Sequence, residues 1–513
     1  MKLFRQIHFP TLRQTYLLLA AVVLLQQFLF LIQFGWVYTD SDQTIMWYGL
    51  KTFAQGHFEE PRFLGQDYNT MLEALLAVPF YRLGIPAHII LPLITSALAL
   101  FPFFWFSSIM YKKGKLIRAA VIVSIPLLLP TDYHLISLLS RGFVTGIFAS
   151  SIGVGLLMKG ASKRAFFLSG FFMAIGFSLN PNSLVLTLPV LLYYFTIHYK
   201  QVTFYILGIA GIVIGLIPHF LAERFYTLHP SYVLHSMQLE LSVDYLKDAI
   251  VHLDDFFNPM APVFWKQGFI IPVAFLGIGI YFIAKKQWSK GIYSIGSFLF
   301  LCATLFLSKV NDGTNSVFFS FSRMYLALPV LIGFSTTLFN FSLAPRILRI
   351  QFIFLIPVVF LTGKMLFIQT SIQHAVHKNR EHVVGVATID HVKTTCQTVQ
   401  SIAQHYNVDL VVIVNSFDYD FINYGCEVCE SENQFPLTLR PSYERRTMRL
   451  TNAMQHVYSN VLFIDNQHKL DVFTDSTVSV ERIPQDSTFY LVRDNVVKTQ
   501  ELFNKLHIDT RPL

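Results

Sequence analysis

The hydrophobic pattern divides the chain in two. The first 372 residues carry long apolar runs separated by short polar breaks, and the rest alternates briefly between apolar and polar. The first run, Thr15 to Val37, is long enough to cross about 30 Å of hydrocarbon at about 1.5 Å per residue. It ends in Gly35-Trp36-Val37-Tyr38, an aromatic interface anchor and not a signal-peptide cleavage site. Further apolar runs centre near residues 97, 124, 150, 172, 190, 211, 276, 300, 331 and 359. The pattern predicts a polytopic α-helical membrane protein of about eleven transmembrane helices, spanning 1–372, followed by a soluble α/β domain over 373–513. Two polar loops are long, 38–85 and 222–267. In the tail, 383–389, 409–414, 460–464 and 488–493 read as strands, and 391–406, 443–457 and 497–507 as helices, an alternation expected of a small α/β sheet domain.

Composition sharpens the division. The whole chain is 53% hydrophobic and only 14% charged, against roughly a quarter charged in soluble domains. After residue 372 lie 13 of the 39 basic and 17 of the 31 acidic residues, a net of −4. The membrane part keeps 26 basic and 14 acidic residues, a net of +12. Disorder, a collagen-like fibre and a disulfide scaffold are excluded. Nothing in the charge pattern asks for a nucleic-acid partner.

The charges also give a topology. With Lys2, Arg5 and Arg13 inside, alternate loops hold Lys112-Lys113-Gly114-Lys115, then Lys159 with Lys163-Arg164, then Lys200, then Lys285-Lys286 with Lys290, then Arg346 with Arg349. This satisfies the positive-inside rule. All 14 acidic residues of the membrane part fall on the opposite side. An odd number of spans leaves the tail outside, so the N-terminus is expected in the cytoplasm and the tail in the periplasm of a bacterial inner membrane. Chemistry is expected to face outward.

The first outer loop opens with Tyr38-Thr39-Asp40-Ser41-Asp42-Gln43. Behind it Ile45, Met46, Gly49, Leu50 and Phe53 mark one face of an amphipathic helix, expected in the interface plane. Asp40 is suited to cap that helix, with Gln43 completing a capping box. Asp42 and the nearby Glu59, Glu60, Asp67 and Glu73 make the loop an electronegative pocket as well as a cap. Asp40 is able to serve both roles.

These residues carry a resemblance. An acidic first outer loop followed by a juxtamembrane helix resembles the GT-C glycosyltransferases, which include protein O-mannosyltransferases and the bacterial enzyme that adds aminoarabinose to lipid A. Gly65-Gln66-Asp67-Tyr68-Asn69-Thr70-Met71-Leu72-Glu73, running on to Pro79 and Tyr81-Arg82-Leu83-Gly84, is similar to the family segment leading into the second span. Phe321-Ser322-Arg323-Met324-Tyr325-Leu326-Ala327-Leu328-Pro329 resembles the Arg-Tyr…Pro element at the outer mouth of a late span. The resemblance covers residues 1 to about 370 as architecture and three short segments as motif.

It implies a sugar moved from a polyprenyl-phosphate donor to a lipid, glycan or protein acceptor at the outer face, with inversion. A carboxylate takes the acceptor proton, and cations hold the departing phosphate. Asp40 is the first candidate for the base and Asp42 the second, because several relatives have Asp-Glu where this chain has Asp40-Ser41-Asp42. Asp67 and Glu73 are candidates for sugar or acceptor contacts. Arg323 is the first candidate for the phosphate, through the fixed fork of its guanidinium, and Arg141 the second. His134, His219, Glu223 and Arg224 stand near the same edge. An Asp-x-Asp pair is able to hold a divalent cation, although lipid-phosphate donors do not require one, so no metal residue is assigned.

In the tail, Thr388-Ile389-Asp390-His391 follows the first strand in place of a Gly-rich phosphate loop, so nucleotide binding is not expected. Arg440, Arg445, Arg446 and Arg449 read as a solvated helix face. Cys426 and Cys429 are expected to form a short disulfide, with Cys396 as the other available partner. The competing functions are a transporter or flippase, which would show repeats and mid-membrane charges, a polysaccharide polymerase, and a non-enzymatic scaffold.

Overall fold

The structure, a computed structural model, describes residues 11–235, 239–262, 265, 267–339, 350–380, 386–414, 419–429, 435–444, 447–472, 478–484 and 487–510. Lys2, Arg5, Arg346, Arg349, Arg445, Arg446 and residues 383–385 lie outside them. The chain divides into two compact units: Met1–Phe34, Pro92–Leu221 and Met237–His377 form one, and Gly35–Leu91, Ala222–Ser236 and Lys378–Leu513 the other.

Every apolar run of the first unit forms a helix. The first, Leu12–Phe30, starts at a capping box between Thr11 and Gln14. Others are Leu116–Leu128, Thr145–Lys159, Lys163–Leu179, Leu184–His198, Ile270–Ala284, Trp288–Thr304 and Ile350–Arg380. Among the described residues three helical stretches are long and apolar enough to cross a membrane: Leu12–Gly35, Ala87–Lys112 and Val202–Leu228. Leu116–Leu128 and Thr131–Leu138 qualify together as a bent pair, broken by 87°. The break has a local cause. Leu129 precedes Pro130, whose ring forces the residue before it out of the helical region, and Leu129 is extended at ψ 151°. Apolar helices such as Thr145–Lys159 and Ile270–Ala284 fall short of the length test, because 15 residues rise only about 22 Å. Fewer stretches meet that test than the hydrophobic pattern predicts. The chain is an integral membrane protein of multi-pass helical character.

Close backbone approach holds this unit together. A Cβ at Gly211 would stand 2.0 Å from the Phe167 carbonyl oxygen, and one at Gly170 would stand 2.2 Å from that of Gly208. Small residues of this kind let apolar helices pack where burial from water gives no drive. The buried His134 is held on both ring nitrogens: Nε2 lies 2.9 Å from Gln26 Nε2 and from the Pro126 carbonyl, and Nδ1 3.2 Å from Gln27 Oε1. That makes His134 a structural group.

In the second unit, β1 (Tyr38–Asp40) pairs antiparallel with β2 (Val386–Thr388), Asp40 opposite Val386. The strand expected near 383–389 is thus paired to the first loop and not to the main sheet. That sheet holds β3 (Leu410–Ile413), β4 (Leu437–Leu439), β5 (Val461–Ile464), β6 (Val480–Arg482) and β7 (Phe489–Val492) in the order β4-β3-β5-β7-β6. β4, β3 and β5 are parallel, and β7 and β6 antiparallel. Leu410, Val412, Phe463, Tyr490 and Leu502 are among the buried residues of its core.

The first-loop helix, Ser41–Ala54, packs against Leu72–Arg82 and Ile422–Cys429. Its apolar face, with Met46, Trp47 and Leu50 buried, is turned to protein. A Cβ at Gly425 would meet Thr44 Cγ2 at 3.1 Å. Cys396 and Cys426 form the disulfide, and not Cys426 with Cys429. Cys426 points into the interior where the helix Ile389–His405 brings Cys396, both fully buried, whereas Cys429 is half-buried at the helix end.

Candidate functional site

The six residues singled out in the sequence fall in two groups, one in each unit. Asp40, Asp42, Asp67 and Glu73 belong to the unit that contains the sheet, and Arg141 and Arg323 to the helical unit.

Asp40 ends β1 with extended backbone and caps the first-loop helix. Its Oδ1 accepts from the Gln43 backbone N–H at 3.0 Å and its Oδ2 from Gln43 Nε2 at 3.1 Å, with the residue fully buried. The capping role expected of it is therefore present. Gln43 fixes the carboxylate's orientation. Asp42, two residues on, instead lines a cleft with Ser41, Asn423, Arg440 and Tyr443. Asp40 and Asp42 therefore occupy different surroundings, and among the described residues no group of three His, Cys, Asp or Glu converges as a metal site.

Asp67 lies within electrostatic reach of Arg62, a residue whose importance the sequence reading missed. Arg62 is buried, and burial lowers its pKa against the opposing pull of Glu223, Tyr226 and Asp67. Beside it Tyr226 donates to Glu60 Oε2 at 2.6 Å, and Tyr48 to Glu59 Oε1 at 2.6 Å. The acidic run Glu59-Glu60 of the first loop is thus tied to the 222–236 segment by a buried cation and a tyrosine. Glu73 is fully buried in the first turn of Leu72–Arg82.

In the helical unit both arginines grip one segment, residues 312–320. Arg141 donates to the Phe318 carbonyl. Arg323 Nη1 donates to the Ser320 carbonyl at 2.8 Å and to that of Phe319 at 3.4 Å, and Nη2 to that of Asp312. Its guanidinium also lies 4.2 Å from the Phe319 ring centre. Lys309, unmarked in the sequence reading, lies 2.9 Å from Asp312 Oδ2, and Arg323 Nη2 lies 3.6 Å from the same oxygen. Arg141, Lys309 and Arg323 are all buried, whereas Asp312 is half exposed. Two buried cations share one half-exposed carboxylate and a third holds a carbonyl of the same segment, so positive charge gathers there.

No protein-family model and no curated protein matches the chain. Solved structures do. ArnT from Cupriavidus metallidurans in the apo state is similar at TM-score 0.52 and 13% identity, over 93% of this chain and 97% of that one. The same protein bound to undecaprenyl phosphate is similar at TM-score 0.54 and 13% identity, over 94% and 98%. At that identity the likeness establishes a shared fold over nearly the whole chain.

Proposed function

We propose that the chain is a GT-C glycosyltransferase that moves a sugar from a polyprenyl-phosphate donor to an acceptor at the outer face of the membrane. The observation that carries this is the fold shared along nearly its whole length with ArnT, described as a lipid A aminoarabinose transferase, one of whose structures holds undecaprenyl phosphate. In this reading the apolar helices make about eleven spans, the N-terminus is cytoplasmic and the sheet domain periplasmic.

The parts have separate tasks. Asp40, oriented by Gln43, accepts the proton of the acceptor hydroxyl as that oxygen attacks the anomeric carbon. The bond from that carbon to the donor phosphate breaks from the opposite side, so the product is inverted. Arg323, assisted by Arg141 and Lys309, takes up the charge of the departing polyprenyl phosphate. Arg62 holds Asp67 for contact with a sugar, and Glu73 supports the same loop.

The donor class is tested by native mass spectrometry of the detergent-solubilised protein with undecaprenyl phosphate and with undecaprenol. Retention of the phosphate and not the alcohol is expected. Equal retention of both would remove the phosphate from recognition.

A further inference from the structure

The sheet domain carries a cleft that the transfer reaction, as proposed, leaves without a task. It is open to solvent and lies beside Arg440, the residue that follows β4. In open α/β sheets ligands sit outside the carboxyl ends of the parallel strands. Its walls come from the first-loop helix (Asp42), the start of Ile422–Cys429 (Asn423) and the residues after β4 (Arg440, Tyr443).

The cleft is built from braced groups. Glu444, fully buried, accepts from Tyr424 Oη at 2.6 Å and from Asn423 Nδ2 at 3.3 Å. Arg440 pairs with Asp420 at 2.9 Å, both buried. The guanidinium then lies 4.4 Å from the ring centre of Tyr443, which is 52% exposed. Burying an ion pair and a carboxylate costs stability unless the groups they hold are needed in place. Asn423 is 4% exposed, and its Oδ1 has no hydrogen-bond partner among the described residues. A buried acceptor left unmet costs about 1–3 kcal/mol, so it calls for a donor from a ligand.

We infer that this cleft binds one hydroxylated sugar ring, with Asn423 and Asp42 accepting from its hydroxyls and Tyr443 covering its C–H face. Because Arg440 is paired with Asp420, the cleft offers acceptors and an aromatic face to a neutral ring. The inference gives Asp42 a task different from that of Asp40. It deepens the glycosyltransferase reading and rests on it only for the origin of the sugar, either the acceptor glycan or the donor.

Saturation-transfer NMR on the full-length protein in detergent tests it, using the methyl glycosides of glucose, mannose, galactose and N-acetylglucosamine. Ring protons of at least one glycoside should receive saturation, and Tyr443→Ala and Asp42→Asn should each lower that signal by about fivefold or more. Tyr443 is exposed, so its removal leaves the fold intact. Farnesyl-phosphate mannose then separates the sources: displacement of the glycoside assigns the cleft to the donor sugar, and its persistence to the acceptor. Absence of transfer to every glycoside, or equal signals in both variants, would overturn the inference. Binding is read without turnover, so failure of the cleft and failure of the transfer reaction are seen separately.

Discussion

Asp40 is where a structural and a chemical role meet in one carboxylate. Its bond from the Gln43 backbone N–H is that of a cap, and asparagine caps about as well as aspartate. Asp40→Asn should therefore leave the thermal midpoint within a few degrees while slowing transfer by about 10²–10⁴-fold. A variant that folds and transfers at the wild-type rate would leave Asp40 a cap and nothing more. Arg323 poses the converse problem, since its donors also hold the backbone of residues 312–320. Arg323→Ala should lose retention of undecaprenyl phosphate, and Arg323→Lys should keep only part of it, because an ammonium lacks the planar fork. Intact retention in the Ala variant would confine Arg323 to holding the loop. The sequence marked Asp40, Asp67, Arg141 and Arg323 by residue type and place. It could not mark Lys309 or Arg62, whose meaning lies in sharing Asp312 or in closing on Glu223 across a long stretch of chain.

At the scale of elements, hydrophobic period located the helices, and local chemistry set their limits. Pro130 breaks one run into a bent pair, a feature visible in sequence but outweighed there by the length of the apolar run. Most tail elements stand within a few residues of their expected places, because buried runs such as Leu410–Ile413 and Val461–Ile464 carry the signal themselves. Short edge strands do not: Leu437–Leu439 and Val480–Arg482 depend on pairing with β3 and β7. Pairing of Cys396 with Cys426 was equally non-local, since it depends on which helix face turns inward. That bridge closes a separation of 30 residues, for which loop entropy predicts about 3–4 kcal/mol of stabilisation. Cys396→Ser should accordingly lower the unfolding temperature of the full-length protein, and a reductant should lower the wild type to the same value. Hydrogen exchange should quicken first in Ile389–His405 and Ile422–Cys429. Unchanged exchange there on reduction would show that packing alone holds these helices.

For the whole molecule, the proposal turns on which side of the membrane each segment occupies. Charge segregation was legible throughout the sequence, whereas the assembly of residues 35–91, 222–236 and 378–513 into one unit was not, because it joins three distant stretches of chain. In a background with Cys302 and Cys429 replaced by serine, Ser289→Cys should react with an impermeant thiol reagent only from the cytoplasmic side. Ser487→Cys, exposed beside β7, should react only from the outside. Position 476, in the same domain, lies outside the described residues. Reaction of both from one face would overturn the topology and with it the outward chemistry. The most direct test of the central claim is transfer itself. The purified protein in bilayer discs is supplied with a panel of undecaprenyl-phosphate-linked sugars and outer-membrane lipid, and released undecaprenyl phosphate is followed by mass spectrometry. Acceptor-dependent release from one donor, with the anomeric configuration inverted in the product, is the predicted result; no release from any donor, or sugar transfer from a nucleotide sugar without polyprenyl phosphate, would contradict it.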